Sequence, residues 1–302
     1  MSKTFKLAAL AALCAAATAA SAGVTFDANF EGDLTSIDAA TDKVNAGGRV
    51  ELNANAALLK SGDNFVNAKA TFLARVSNDS NLDSATIDDA WIQFGNSTAD
   101  MKVGRFEAVD LFPVAKDTVL ELADGSFGYR ANKVRGRFTN GEFHGAVGLN
   151  AAPGLRFELG VMNFKDGAAE KSGVRPAVTY TTGDLTVRAG YESFDLDGAG
   201  NKTGYGLSAG YALSKEAAVN VNYAKSSDLD ASSIGANLVY GPAGIGYVQD
   251  KKGSAAIDTV YAAYSFPLLG VKGASVTPAF SYSSGDNVVD KTALRVRLNY
   301  AF

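Results

Sequence analysis

The chain has 302 residues, 28 lysines and arginines against 32 aspartates and glutamates, 32 glycines, 6 prolines and 1 cysteine. No stretch approaches the roughly 20 apolar residues of a membrane-spanning helix, and an acidic chain is a poor partner for nucleic acid. The cysteine, Cys14, precedes an export cleavage site, which excludes disulfides, thiolate metal centres and cysteine nucleophiles from the mature protein.

The chain opens on Lys3 and Lys6, then an apolar run over residues 7–17 and Ala20-Ser21-Ala22 before Gly23, the layout of an export signal. Residues 1–22 are therefore expected to be removed, leaving residues 23–302 with a formal charge of 26 − 32 = −6. No shift in composition divides that remainder, so a single domain is predicted. A mean hydropathy of zero suits membrane strands in which every second residue faces water.

Period-two segments then recur between clusters of Gly, Asn, Asp and Ser. Over residues 44–58, Ala46, Val50, Leu52, Ala54 and Leu58 share one face, and Asn45, Arg49, Glu51, Asn53 and Asn55 the other. Over residues 66–76, Val66, Ala68, Ala70, Phe72 and Val76 oppose Asn67, Lys69, Thr71 and Arg75. Asp88-Asp89-Ala90-Trp91 begins a further strand, and Trp91 is expected in the lipid-facing aromatic belt.

A strand over residues 101–106 leads into the longest connection, residues 107–126. It holds Glu107, Asp110, Asp117, Glu121 and Asp124 against Lys116, together with Leu111, Phe112, Val114, Val119, Leu120 and Leu122. A freely solvated loop has no use for so many apolar side chains, so this one is expected to pack against a lumen wall. Residues 129–138 read as the next strand, with Lys133, Arg135 and Arg137 on one face. Later strands repeat the alternation, often with Tyr or Phe near an end. The last, over residues 292–302, sets Leu294, Val296, Leu298, Tyr300 and Phe302 against Arg295, Arg297 and Asn299.

Connections alternate between tight (residues 182–184, 215–216, 241–244) and long (residues 35–43, 196–203, 227–231), as in a barrel with short turns at one end and long loops at the other. The candidate strands number 17, which antiparallel closure forbids in a bacterial barrel. A closed all-β transmembrane barrel of 16 strands is expected, with 14 or 18 as alternatives and with residues 151–154 kinking one strand.

The terminal strand resembles the closing strand of bacterial outer-membrane barrels, which implies that Tyr300 and Phe302 serve as a signal to the barrel assembly machinery. The acidic connection after the fifth strand resembles the inward-folded third loop of Gram-negative porins of the general diffusion type, although the Pro-Glu-Phe-Gly-Gly run of enterobacterial porins is missing. The resemblance implies an outer-membrane location, an acidic constriction facing a basic wall ladder of Arg49, Lys69, Arg75, Lys133, Arg135, Arg137, Arg295 and Arg297, and a homotrimer in membrane lipid.

The expected function is passive diffusion of small hydrophilic solutes and ions, with no catalytic group, metal or cofactor. His144, the sole histidine, reads as incidental. A carbohydrate-type channel would need an aromatic track, whereas lumen-parity residues are mostly small and polar, with Phe65, Phe194 and Tyr261 as exceptions. A structural or adhesive barrel is the third alternative. Ala46, Gly48, Ala54, Ala68 and Ala70 offer a flat outward patch for close packing between subunits.

Overall fold

Each strand carries one apolar and one polar face, and in lipid its backbone groups can be satisfied only by neighbouring strands. The chain meets both demands by closing on itself in a computed structural model that describes residues 23–37, 44–78, 83–114, 127–137, 142–166, 169–196, 198, 200–286 and 288–302. The export signal expected over residues 1–22 lies outside the described residues, as do Asp117, Glu121 and Asp124.

In chain order the strands are β1 (Gly23–Ile37), β2 (Val44–Ser61), β3 (Asn64–Ser77), β4 (Ser84–Gly95), β5 (Ala99–Arg105), β6 (Phe143–Ala152) and β7 (Leu155–Asp166). There follow β8 (Ala169–Thr182), β9 (Leu185–Asp195), β10 (Lys202–Ala212), β11 (Ala217–Ser226), β12 (Ala231–Tyr240) and β13 (Ala243–Lys252). β14 (Ala255–Tyr264) is continued past Ser265 by Phe266–Pro267, then come the penultimate strand (Ala274–Gly285) and the closing strand (Val288–Ala301). Neighbours pair antiparallel, and the closing strand pairs back onto β1 from Asn29↔Ala301 to Ile37↔Ala293, which closes the sheet. Phe266–Pro267 extends the edge that β14 shares with the penultimate strand, so the 17 strand stretches make 16 strands, the number expected.

The surplus candidate was not where the sequence placed it. Residues 151–154 are no kink; Gly154, at φ +75°, turns the chain between β6 and β7. The segment expected as a strand over 129–138 is the one to strike out. Residues 129–137 run through turns and bends, with φ of +50° at Ala131, +106° at Gly136 and +65° at Arg137. Ala131 and Arg137 carry side chains and still take the left-handed conformation, which strand residues do not adopt. The connection between β5 and β6 therefore spans residues 106–142, and Lys133, Arg135 and Arg137 belong to it rather than to the wall.

Outward positions are apolar on every side: Val50, Ile92, Val161, Leu207, Ile234, Phe280 and Leu298 are all exposed, as a lipid-facing belt requires. Tyr180, Tyr211, Tyr240, Tyr264 and Tyr300 are exposed at strand ends beside the short turns, where an aromatic girdle meets the headgroups. Trp91 departs from expectation. Its neighbours Ile92 and Phe94 face out, while Trp91 lies opposite Lys69 and carries the Lys102 ammonium 4.0 Å above its ring, on the inner face. The cation holds the indole inside, where the belt would have offered it only lipid.

Candidate functional site

The inside of the barrel holds an apolar cluster where a wide pore would hold only water. Leu111, Phe112, Tyr129, Ala131 and Val134 of the β5–β6 connection are buried against Met162, Phe164, Ala177, Phe194, Val248 and Tyr261 of the inner wall. Burying a Leu, Val or Phe contributes roughly 1.5–3 kcal/mol each, which is why apolar residues stand in this segment. The wall leaves room for them: a side chain at Gly204 would collide with the Tyr129 ring, and one at Gly190 with Leu111.

Two arms of the connection are described, residues 106–114 and 127–137, and the Ala108 N–H donates to the Arg135 carbonyl between them (2.8 Å). Wall groups hold them at several places; on β7, Glu158 accepts from the Val109 N–H (3.1 Å). On β8 and β9, Arg175 and Glu192 are fully buried and paired at 3.2 Å. Glu192 accepts from the Tyr129 hydroxyl (2.7 Å) and the Val134 and Lys133 N–H groups (2.8 and 3.1 Å). Arg175 donates to the carbonyls of Val109 (2.7 Å) and Ala131 (3.4 Å). On β12 and β13, Ser233 accepts from Tyr129 N–H (3.1 Å), and Asp250 pairs with Arg130 (2.6 Å). On β11, β12 and β14, Asn222, Asn237 and Tyr261 donate to the Pro113 and Val114 carbonyls at 2.7, 2.8 and 3.2 Å. Each buried donor stripped of its acceptor would cost roughly 1–3 kcal/mol. Burial pushes the Tyr129 phenol up, and the Glu192 carboxylate beside it adds to the effect, so the hydroxyl stays protonated and donates.

On the opposite side the charges form a chain from wall to segment. Lys69 on β3 pairs with Asp89 on β4 (2.9 Å), and Asp89 and Asp88 with Arg137 (3.5 and 2.8 Å). Arg137 reaches Glu107 (2.9 Å), Glu107 reaches Arg135 (3.2 Å), and Arg135 reaches Asp110 (3.6 Å). Burial pulls the Arg137 guanidinium down, but Glu107, Asp88 and Asp89 together more than offset it and hold it above the ordinary arginine range. Acid and base are thus interleaved. Arg135 and Arg137 sit on the same segment as Glu107 and Asp110, where the sequence had set them on facing elements.

The remaining basic residues gather at the closure seam. Arg297 pairs with Glu31 (2.9 Å) and Asp33 (2.7 Å), and Arg49 with Glu31 (2.7 Å). Arg75 lies directly across from Arg49, and Arg295 across from Thr35. Arg49, Arg75 and Arg297 line a polar recess of about 340 Å³ with Glu31 and Asp33. The acids of β1 and β4, together with Arg175 and Glu192, were missed in the sequence. Their charged partners lie from 192 − 175 = 17 to 297 − 31 = 266 residues away, and only lumen parity marked them. His144 is fully buried under the root of the segment, stacked on Phe106 at 4.4 Å, a packing position.

A closed antiparallel barrel with an apolar outside and a charged, polar inside belongs to the class of transmembrane channel barrels. Residues 13–145 match the family model described as porin-like glycoporin RafY, and residues 120–232 match that of Gram-negative porin. No curated protein matches the chain in sequence. Among solved structures, the Salmonella typhi OmpF complex with daunomycin is similar at a TM-score of 0.75 and 14% identity, covering 92% of this chain and 97% of that one. A mutant of the Rh. blastica porin gives 0.63 at 12% identity, covering 93% and 100%. Both family models are of porins, together they span residues 13–232, and the fold is that of the outer-membrane porins.

Proposed function

We propose that this porin is a general diffusion channel whose water path is narrowed by the β5–β6 connection. The observation that carries this reading is the fate of the interior aromatics. Phe194 and Tyr261, which could have formed a sugar-binding track, are buried beneath the segment, and the charge chain from Lys69 to Asp110 faces the other way. Interleaved charges across a narrow aqueous gap set up a transverse field that orients polar solutes and disfavours apolar ones.

In a planar bilayer the purified protein is expected to give stepwise, ohmic currents that added maltose or raffinose leaves unblocked. A folded, β-rich protein without steps would return the structural-barrel reading. Block by sugar would favour a carbohydrate channel, the reading supported by the glycoporin match over residues 13–145 and by Trp91 on the inner wall.

A homotrimer is the assembly this reading carries. Ala46, Gly48 and Ala54 on β2 and Ala68 and Ala70 on β3 share the outward face, with Ala54 directly across from Ala70. Such a patch lets two walls approach closely. Replacing Ala54 and Ala70 together by Arg should convert trimer to monomer in native mass spectrometry while β-sheet circular dichroism persists. An unchanged trimer would place the subunit contact elsewhere on the barrel.

A further inference from the structure

We propose that Arg175 and Glu192 are the positioning pair that fixes the bore of the channel, a reading that rests on the narrowing proposed above. Among these wall groups, Arg175 and Glu192 are a buried ion pair both of whose charges grip the segment. Arg175 takes a backbone carbonyl from both arms, Val109 and Ala131, while Glu192 gathers Tyr129, Lys133 and Val134 of the second arm. Asn222 and Asn237 hold only the first arm, at Pro113, and Asp250 and Ser233 only the second.

The chemistry suits positioning better than stability. A fully buried ion pair returns little net free energy after desolvation, and apolar residues of similar size often replace it without loss. What it provides is a single geometry. The guanidinium is a rigid fork whose Nε faces Glu192 while one terminal nitrogen points at the carbonyls. Because its targets are backbone atoms, it sets how far the chain itself stands from the wall. The bed around it is shaped to match: a side chain at Gly173 would strike Val134, and one at Gly190 would strike Leu111. The segment can approach the wall here, and the pair determines where it stops.

The test compares the wild-type protein in planar bilayers with Arg175→Met/Glu192→Met, which removes both charges and keeps comparable apolar bulk, and with Glu192→Gln, which keeps the shape. Unit conductance, open-channel noise and the polyethylene glycol size that still enters are read beside heat-modifiable gel mobility as the measure of the folded barrel. Leu207→Ala, on the lipid face, serves as a control that weakens the barrel without touching the segment. The double variant is expected to fold, to conduct about twofold more with added noise, and to admit larger polymer. Glu192→Gln should move the same way by less, and Leu207→Ala not at all. If wild type conducts and the folded Met pair matches it in conductance, noise and cut-off, the positioning role is overturned while the channel stands. A wild type without current steps overturns the channel reading itself, and this one falls with it. Should the Met pair fail to fold, Glu192→Gln decides: wild-type conductance and noise in that variant overturn the proposal.

Discussion

Replacing Arg135 and Arg137 together by Gln is expected to shift the channel strongly toward cations. The pair faces four carboxylates, Glu107, Asp110, Asp88 and Asp89, so losing two positive charges leaves a concentrated acidic cluster at the segment root. At about 6 Å in watery surroundings one unit charge is worth ~0.7 kcal/mol to a passing ion, so the two should change the cation-to-anion permeability ratio by roughly tenfold or more. The shift should be largest at 10 mM salt, where the screening length is about 30 Å, and shrink at 0.1 M, where it is about 10 Å. All the side chains concerned are part-exposed to the lumen, so neutralising them should leave the barrel intact. Glu107→Gln with Asp110→Asn should move the reversal potential the opposite way. Two double variants that shift it in the same direction, or neither shifting it at low salt, would show that these groups do not border the ion path.

Removing Phe302 should cost most of the folded protein in the membrane while leaving the pores that do form unchanged. The residue closes the seam: Ala28 N–H donates to its carbonyl (2.9 Å), its own N–H donates to the Ala28 carbonyl (3.0 Å), and its ring stacks on Tyr300 at 5.3 Å. Two hydrogen bonds at ~1 kcal/mol each already correspond to a loss of roughly tenfold or more. The side chain is 66% exposed on the lipid side, away from the water path. Phe302→Ala separates the two causes, since it keeps both backbone bonds and loses the ring. Abundance falling as far as in the deletion would identify the ring as the recognised feature, whereas recovery would assign the loss to the seam. Normal abundance with altered unit conductance in the deletion would contradict the assembly role.

Where alternation alone decides the outcome, the sequence was readable. Leu294 to Phe302 lie outward and Arg295, Arg297 and Asn299 inward, and the long connection follows the fifth strand. The same rule misled at residues 129–138, where Lys133, Arg135 and Arg137 alternate as a wall strand would. Their spacing has no bearing on the backbone, which at Ala131 and Arg137 takes a left-handed conformation that a strand does not use. Gly136 was the available signal, because a side chain there would collide with the Phe106 carbonyl. The odd strand count did register an error but could not locate it, since parity sums over the whole chain. Trp91 was assigned by residue type, which cannot foresee a lysine placed over its ring from the next strand. The apolar content of residues 107–126 was informative because burial, unlike pairing, needs no knowledge of the partner. The wall residues that receive it were not readable, because a glycine at lumen parity looks the same whether it faces water or Tyr129.

The contacts that seat the segment join residues far apart in the chain: Val109 with Arg175, Tyr129 with Ser233, Val114 with Tyr261. They cannot all form before β8, β12 and β14 are in place, and contacts closing such long loops are costly to form early in folding. A barrel inserting into the membrane is therefore expected to pass through a stage in which the segment is undocked and its apolar bed bare. Trp91, the only tryptophan in the chain, shares the Lys102 ammonium with Phe106 at the root of the segment, which gives that final docking step its own fluorescence signal.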